Sequence, residues 1–220
     1  MQDLLGLLRN NSYPGRGIVV GRGRVYYFIM GRSVNSRNRV FVRTEDGIRT
    51  QAYDPKLLAD PSLIIYHPVR AMGDDLVVTN GDQTDTIVEK GDFRLGCMAR
   101  EYEPDAPNFT PRISAIVRPD GSFEMSILKH VGGQGAPDRC LREFFAYEGT
   151  DEGCGYFIST YQGDGDPLPT FAGEPVPVTL PEDPAQVWEA LDAGNKVSLY
   201  ANMDGTVAGE VRLFNKNLGD

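Results

Sequence analysis

The sequence predicts an α+β protein in which helices cover two antiparallel sheets. Most apolar runs are short and rich in β-branched and aromatic residues, as in strands. Turn residues such as Pro119-Asp120-Gly121-Ser122 separate neighbouring runs, which is typical of antiparallel hairpins. The helical segments are few and segregated along the chain, which favours α+β over alternating α/β. At 220 residues, without a repeat or a dividing linker, the chain is predicted to form one domain over 1–220.

The predicted strands begin with a meander in the first fifty residues. Gly21-Arg22-Gly23-Arg24 lies between two apolar runs and predicts a hairpin turn rather than a phosphate-binding loop. A hairpin around Pro119 and a last hairpin around Asp204-Gly205 follow further along, and we expect 143–147 to pair with 155–161. The predicted strands are 17–20, 25–30, 39–43, 62–66, 75–79, 112–118, 123–128, 143–147, 155–161, 197–203 and 207–214.

Two helical regions are predicted. Residues 83–100 indicate one or two helices broken near Gly91. A short helix over 183–193 carries the single tryptophan, with Asp183 as its N-cap and Pro184 at the first helical position. The Gly/Pro/Asp-rich segment 162–177 is predicted to be a long loop.

Positive charge is concentrated near the start of the chain. The first fifty residues contain nine arginines, no lysine and three acids, although the formal net charge of the whole chain is -9. Arginine suits bidentate recognition of phosphate or carboxylate oxygens. For any single arginine a solvated strand edge is the better explanation, but the run GRSVNSRNR over 31–39 favours a ligand site. A nucleic-acid binder usually has a basic surface overall, so a small anion is the favoured ligand.

Composition argues against several other classes. His67 and His130 are far apart and the three cysteines lack a CxxC spacing, so no metal site is predicted. The thiols suggest a reducing compartment. The apolar runs are too short to span a bilayer, and the N-terminus lacks the pattern of a secretory signal. We therefore expect a soluble, cytoplasmic protein.

Three further segments carry candidate chemistry. At 79–85, Asp82 or Thr84 is predicted to cap a helix whose N-terminus faces a polar ligand, and an ordinary helix cap explains the pattern equally well. Three prolines in 101–112 would hold its polar side chains rigidly, as a reaction site requires, and the alternative is a surface loop. Residues 160–171 are compatible with a lid, but an ordinary long loop is favoured.

Taken together, five blocks of sequence closely resemble the archaeal-type IMP cyclohydrolase family, in its bacterial branch. The blocks are GRSVNSRNRVF (31–41), LIIYHPVR (63–70), VVTNGDQTDTI (77–87), EYEPDAPNFTPRIS (101–114) and TYQGDGDPLPTFAGEP (160–175). The resemblance implies closure of 5-formamidoimidazole-4-carboxamide ribonucleotide (FAICAR) to inosine monophosphate (IMP) with loss of water, the last step of de novo purine biosynthesis. It implies no metal and no organic cofactor.

The resemblance also implies a fold and a departure from its relatives. Members of the family form a four-layer αββα sandwich like that of the N-terminal-nucleophile hydrolases, without their autoprocessing or nucleophile. This chain begins Met1-Gln2, with no Ser, Thr or Cys to expose by removal of methionine, which agrees with that departure.

The same blocks supply the predicted site. Glu103 is the candidate for proton transfer, Tyr66 for donation to the developing oxyanion or proton relay, and Arg32 for contact with the reacting amides. Asp85 or Asp105 could replace Tyr66 or Glu103 in these roles. Two asparagines are expected to fix the carboxamide and formamide, and some of the arginines to contact phosphate, helped by hydroxyl groups. The predicted substrate-binding residues are Ser33, Arg37, Arg39, Asn80, Thr84, Asp85, Asn108, Thr110 and Arg112.

Three other functions fit parts of the sequence. An amide hydrolase on the related fold would need a processed N-terminal nucleophile, against which Met1-Gln2 argues. A non-catalytic purine-nucleotide-binding module would keep the arginines but be indifferent to Glu103. A nucleic-acid binder is disfavoured by the net charge.

The expected partners follow from the cyclohydrolase hypothesis. The substrate is a small purine-precursor ribonucleotide, which a separate AICAR formyltransferase would supply. Neither nucleic acid nor a membrane is an expected partner. A homo-oligomer is compatible with an α+β enzyme of this size, but no interface can be identified from the sequence.

Overall fold

Two seven-stranded sheets frame the computed structural model, which describes residues 1–58, 61, 64–132 and 139–219. The first sheet has the order β1-β12-β11-β2-β3-β13-β14 and the second the order β10-β9-β8-β7-β6-β5-β4. The strands are β1 Gln2–Asp3, β2 Arg16–Gly21, β3 Arg24–Met30, β4 Arg39–Arg43, β5 Gly47–Ala52, β6 Val69–Met72, β7 Asp75–Thr79, β8 Arg112–Val117, β9 Phe123–Val131, β10 Arg139–Tyr147, β11 Cys154–Ser159, β12 Val176–Thr179, β13 Lys196–Asn202 and β14 Val211–Asn215.

Nearly all strand pairs are antiparallel. In the second sheet every strand pairs with its neighbour in the chain, even where two helices lie between β7 and β8. In the first sheet β1 pairs with β12 in parallel, and β11 and β13 flank the β2–β3 hairpin. The first sheet therefore combines strands from the two ends of the chain, and the second is formed by the residues between them.

Five short helices complete the described part of the chain. They are α1 Leu4–Arg9, α2 Val34–Arg37, α3 Gln83–Lys90, α4 Phe93–Met98 and α5 Pro184–Ala190. The break between α3 and α4 lies at Gly91, which has a φ of 61°. Asp92 then starts α4 by accepting a hydrogen bond from the Leu95 N–H at 2.7 Å. No helix within the described ranges is both long enough and apolar enough to cross a membrane.

The sheets and helices pack together through three apolar cores. One lies between the sheets, where Tyr27 of β3 and Ile113 of β8 are both completely buried. A second joins the other face of the first sheet to α1 and α5, and a third joins the second sheet to α3 and α4. Alternate residues of β3 face the first and second cores, so the run over 25–30 is continuously apolar instead of alternating.

The α+β class predicted from the sequence is confirmed, as are several local predictions. The first, central and last predicted hairpins form, 83–100 divides at Gly91, and Asp183 caps α5 by accepting from the Ala185 N–H at 3.0 Å. The sequence pattern did not predict β1, α1, α2, β5, β6 or β12. Part of the segment 162–177, predicted as a loop, belongs to β12.

Three strand predictions are wrong. The meander predicted over 17–20, 25–30 and 39–43 is divided between the sheets, because β3 pairs with β2 and β13 whereas β4 pairs with β5 in the second sheet. The segments 143–147 and 155–161 do not pair, because β10 ends the second sheet beside β9 and β11 lies in the first sheet. Residues 64–66 form turns rather than a strand, and 62–63 lie outside the described residues. Side-chain contacts replace a strand ladder here: the Thr50 hydroxyl accepts from the Tyr66 N–H at 2.9 Å and donates to the Ile64 carbonyl at 2.6 Å.

Candidate active site

Three buried arginines converge from the two sheets. Arg16, Arg39 and Arg112 are the first residues of β2, β4 and β8. Their exposed fractions are 9%, 0% and 4%. The carboxyl group of Glu103, which is 2% exposed, interacts electrostatically with all three. We call these four residues and Tyr66 the central site.

The Glu103 carboxyl group lies at the neck of a closed loop. The Glu103 N–H donates to the Thr110 carbonyl at 2.9 Å, and this hydrogen bond joins the two ends of the loop 103–110. Burial raises the pKa of Glu103, and the attraction of Arg16 and Arg112 opposes that rise. A carboxyl group with a raised pKa is suited to accepting and returning a proton near neutral pH.

Gly81 allows Arg112 to approach Glu103. A Cβ atom at this position would lie 2.5 Å from Arg112 Nη1 and 3.4 Å from Glu103 Oε1. Arg112 Nη1 donates to Gln83 Oε1 at 2.6 Å and pairs with Asp82 Oδ1 at 2.7 Å. The guanidinium group is thus held against the β7–α3 turn, at a distance that only a residue without a side chain permits.

The sequence offers Asp82 as a side-chain cap of α3, but its side chain makes no capping hydrogen bond. It occupies the N-cap position, but its carboxylate pairs with Arg112 and Arg100. Two guanidinium groups are stronger partners for a carboxylate than one backbone N–H. Burial raises the pKa of Asp82, but Arg112 and Arg100 lower it. The result is a pKa below the usual value.

Several buried guanidinium atoms have no hydrogen-bond partner among the described residues. They are Arg16 Nε, Arg112 Nε and both Nη atoms of Arg39. Arg39 is tied down by its Nε alone, which donates to the Ser36 carbonyl at 2.9 Å. Burial lowers the pKa of Arg39, because the charged form is poorly solvated there. A buried cation without acceptors is costly, so these donors favour binding of an oxygen-bearing ligand.

Tyrosine hydroxyl groups form the other wall of the central site. Tyr66 is 5% exposed, and its Oη lies 2.8 Å from Tyr27 Oη. Tyr161 Oη lies 2.6 Å from Thr110 Oγ1, and burial raises the pKa of Tyr161 to about 12. Asp105 accepts hydrogen bonds from the Thr110 N–H, at 2.6 Å, and from its hydroxyl. Asp105, an alternative for proton transfer, therefore supports Thr110 and Tyr161.

The arginine-rich run 31–39 surrounds the short helix α2 instead of converging on one point. Arg32 lies at the rim, 4.9 Å from the centre of the Tyr13 ring, and pairs with Asp164 at 2.6 Å. Arg37 donates to the Gly31 carbonyl and to Asn195 Oδ1, at 2.7 and 2.9 Å. The Ser33 hydroxyl accepts from the Ser36 N–H and caps α2.

The remaining predicted residues lie behind or outside the central site. Asn80 is completely buried, and its amide oxygen accepts from the Ile113 N–H at 2.9 Å while its nitrogen donates to the Pro111 carbonyl. The Thr84 hydroxyl lies 2.6 Å from that of Thr79. Asp85 pairs with Arg70 and His67 near the surface, and Asn108 is exposed.

The structure thus brings together Tyr66, Glu103, Arg39, Thr110 and Arg112. Substrate contact by these five and by the other predicted residues, like the role of each residue in the site, stays a prediction.

The sequence analysis missed Arg16, Tyr13, Tyr27 and Tyr161. A signal for Arg16 was present in Gly15-Arg16-Gly17, an arginine between two glycines at the start of an apolar strand. Gly15 has a φ of 75°, and a Cβ there would lie 2.3 Å from Thr160 Oγ1. Glycines that allow close backbone approach next to a charged residue are a usable sign of a site.

A family model described as an IMP cyclohydrolase-like protein matches residues 13–207. The chain belongs to this family. The matched segment includes every residue of the central site and all of the predicted site residues. The family predicted from the sequence is confirmed, while its bacterial branch stays a prediction.

Similar proteins from archaeal species carry the name IMP cyclohydrolase. The protein from Methanopyrus kandleri is 30% identical over 163 residues, which cover 68% of this chain and 75% of the relative. That from Methanococcus aeolicus is 26% identical over 163 residues, covering 68% and 74%. That from Methanocella arvoryzae is 34% identical over 117 residues, covering 48% of this chain and 57% of the relative. These names agree with the activity predicted from the sequence.

Proposed function

We propose that this member of the IMP cyclohydrolase-like family closes FAICAR to IMP with loss of water. The observation that carries the proposal is the buried Glu103 carboxyl group, which interacts electrostatically with three arginines; two of them, Arg16 and Arg39, also interact with the phenol of Tyr66. The family match and the names of its relatives support the same reaction. The substrate is accordingly a purine-precursor ribonucleotide.

The chemistry needs a base, an oxyanion partner and an acid. The carboxamide nitrogen attacks the formyl carbon, a C–N bond forms, and Glu103 takes the proton that the nitrogen loses. The formyl oxygen gains negative charge, which the Tyr66 hydroxyl stabilises. Tyr66 protonates this oxygen. The resulting hydroxyl then leaves as water with the proton returned by Glu103, while the formamide nitrogen gives its remaining proton to the Tyr66 phenolate and so restores Tyr66.

Positioning contributes a large part of the rate. Both reacting groups are on one molecule, so the site must select the conformer in which the carboxamide nitrogen faces the formyl carbon. Rigid side chains serve this purpose, and Arg112 is fixed by Asp82 and Gln83. We propose that Arg32 and the central site contact the amide groups of the substrate. Among the arginines predicted to contact phosphate, Arg39 has both Nη atoms free for a substrate oxygen.

We further propose that the fold is the four-layer αββα sandwich of the N-terminal-nucleophile hydrolases. The order of its cores supports this: α1 and α5 pack on the first sheet, the two sheets pack together, and α3 and α4 pack on the second. A separate formyltransferase that supplies FAICAR is part of the same proposal.

An absorbance assay tests the activity. Purified protein is mixed with FAICAR in the presence of a chelator, and IMP formation is followed with time. Turnover under these conditions would support a reaction carried by the protein's own side chains. Binding of IMP without any turnover of FAICAR would contradict the enzyme hypothesis and favour a non-catalytic purine-nucleotide-binding protein.

A further inference from the structure

We propose that Tyr27 is a positioning residue of the central site, whose hydroxyl orients Tyr66 as the proton donor to the substrate oxygen. The proposal rests on the proposed function, because it explains why the Tyr66 hydroxyl points its proton toward the substrate oxygen. Tyr27 belongs to β3, in the middle of the first sheet, and does not need to touch substrate to have this effect.

The position of Tyr27 is fixed on several sides. It is completely buried, and its strand is paired with β2 on one side and β13 on the other. Its ring stacks on that of Phe41 from the opposite sheet, with the ring centres 5.7 Å apart. A ring held in this way cannot swing without disturbing the core between the sheets. The hydroxyl group is therefore presented at one point.

Tyr66 is fixed independently of Tyr27. Its backbone N–H donates to the Thr50 hydroxyl and its carbonyl accepts from the Thr50 N–H, both at 2.9 Å. The two tyrosines thus belong to separate elements that meet through their hydroxyl groups, with the oxygens 2.8 Å apart. Either oxygen can be the donor on geometry alone, so the direction must come from chemistry.

Burial favours the protonated form of Tyr27. It raises the pKa of Tyr27 well above the usual value, so this hydroxyl stays protonated wherever the enzyme works. Within the described part of the chain, the acceptor within reach of that proton is Tyr66 Oη. When Tyr27 donates to Tyr66, the Tyr66 proton is directed away from Tyr27, toward the space where substrate binds.

The surrounding charges favour the same direction. When Tyr66 gives up its proton, the phenolate is left beside two guanidinium groups and the Tyr27 donor, all of which stabilise a negative oxygen. The formamide nitrogen of the substrate must lose a proton as water leaves, and the phenolate can accept it, which restores Tyr66. The titratable and charged groups that interact with the Tyr27–Tyr66 pair or with its two arginines are Arg16, Arg39, Tyr13, Tyr161 and Glu103.

Tyr27→Phe tests the proposal because it removes one oxygen and keeps the ring. We expect kcat to fall about ten- to hundred-fold, from the loss of a hydrogen bond to a group that becomes charged. KM should stay within about two-fold, since Tyr27 does not contact substrate. The basic limb of the kcat–pH profile should move about one pH unit higher, because a phenolate without its donor forms less readily.

Tyr26→Phe is the matched control. Tyr26 is the neighbouring residue of β3, is equally buried, and points into the core against α1 and α5. Its change also removes one buried hydroxyl, and it should leave both kcat and the pH profile unchanged. Thermal unfolding of both variants shows whether they fold.

A double change keeps the test decisive even if Tyr27→Phe is destabilised. In a Tyr66→Phe background, Tyr27→Phe should cause no further loss of kcat, since its effect passes through Tyr66. Additive losses, or a wild-type pH profile for Tyr27→Phe, would overturn the inference while leaving the enzyme hypothesis intact. A wild-type protein that forms no IMP would overturn the proposed function, and this inference with it.

Discussion

At the scale of single residues, the site depends on groups whose charge is poorly tolerated where they lie. Glu103 and Arg39 are buried to within 2% of their surface, and burial acts against the charged form of each. Buried charges of this kind are typical of sites where the protein uses stability to support chemistry.

Glu103→Gln should abolish turnover while preserving ligand binding. The amide has nearly the shape of the carboxyl group but cannot accept the carboxamide proton, so kcat should fall by about 10²- to 10⁴-fold. Binding of IMP, measured by calorimetry, should change little. Glu101→Gln is the control, because Glu101 lies two residues earlier with a side chain that is 69% exposed. An active Glu103→Gln enzyme would transfer the proton role to another group.

The same substitution should alter the pH dependence of stability. Since the pKa of Glu103 is raised by folding, the folded protein keeps this proton to a higher pH than the unfolded chain. Its contribution to stability is therefore complete below the unfolded pKa and is lost as pH rises through the folded pKa. We expect the Tm of Glu103→Gln minus that of wild type to increase from about pH 4 to about pH 7. A constant difference would contradict this.

Residue identities at the site were partly accessible from the sequence. Tyr66, Glu103 and Arg112 lie in long, unusual blocks, so the family resemblance placed them in the site. Tyr27 lies in a strand whose local pattern indicates only a buried apolar run, and Arg16 is marked only by the glycines on either side of it. Their place in the site depends on how two sheets face each other, which no local pattern contains.

At the scale of elements, local chemistry predicted boundaries better than pairing. Gly91 and Asp183 mark helix ends through their own backbone or side chain, and both were identified. The partner of β11 depends on the chain crossing from the second sheet to the first after β10, and the assumption of sequential pairing failed there. Turn and capping signals act over a few residues, whereas sheet membership is decided by the whole fold.

Gly91→Ala should destabilise the protein without affecting the reaction. The residue ends α3 with a φ of 61°, and nothing lies within 4 Å of an added Cβ, so the cost is that of backbone strain. The free energy of unfolding in urea should fall by about 1 kcal/mol. Gly91→Asn should cost less, because Asn tolerates this conformation better. Equal losses for Ala and Asn would point to another cause, and altered kcat would show coupling to the site.

Asp164→Asn tests whether the loop after β11 holds Arg32 in place. Both side chains of this ion pair are partly exposed, so stability should change by less than about 1 kcal/mol. If Arg32 contacts the substrate, its loss of orientation should raise KM by about fivefold, which corresponds to about 1 kcal/mol. Asp166→Asn is the control, an exposed acid of the same loop. Unchanged KM in both variants would remove the loop from substrate binding.

At the scale of the whole molecule, both sheets contribute positive charge to the central site. The first sheet supplies Arg16 and the second supplies Arg39 and Arg112, each at the first residue of a strand. Folding therefore gathers positive charge in one place within a chain whose formal net charge is -9. The early cluster of arginines in the sequence indicated an anion site, but only the packing of the sheets selects Arg39 and Arg16 from the nine.

Arg39→Met should separate fold stability from ligand binding. Without ligand, the variant should be as stable as wild type or more stable, because a buried cation with two unpartnered Nη atoms is replaced by an apolar chain. With IMP at about one hundred times its Kd, wild type should gain about 2.7 kcal/mol. The variant should gain much less, because its contact with a ligand oxygen is gone.

Thermal and urea unfolding with and without IMP measure both effects, and Arg49→Met provides the control. Arg49 is an exposed arginine of β5 in the same sheet, so its removal should leave the IMP-dependent gain at the wild-type value. A full gain in Arg39→Met would place the ligand oxygen at Arg37 or Arg112 instead. A large loss of stability in the unliganded Arg39→Met protein would contradict this expectation and would mean that the fold needs either this charge or the hydrogen bond from Arg39 Nε to the Ser36 carbonyl.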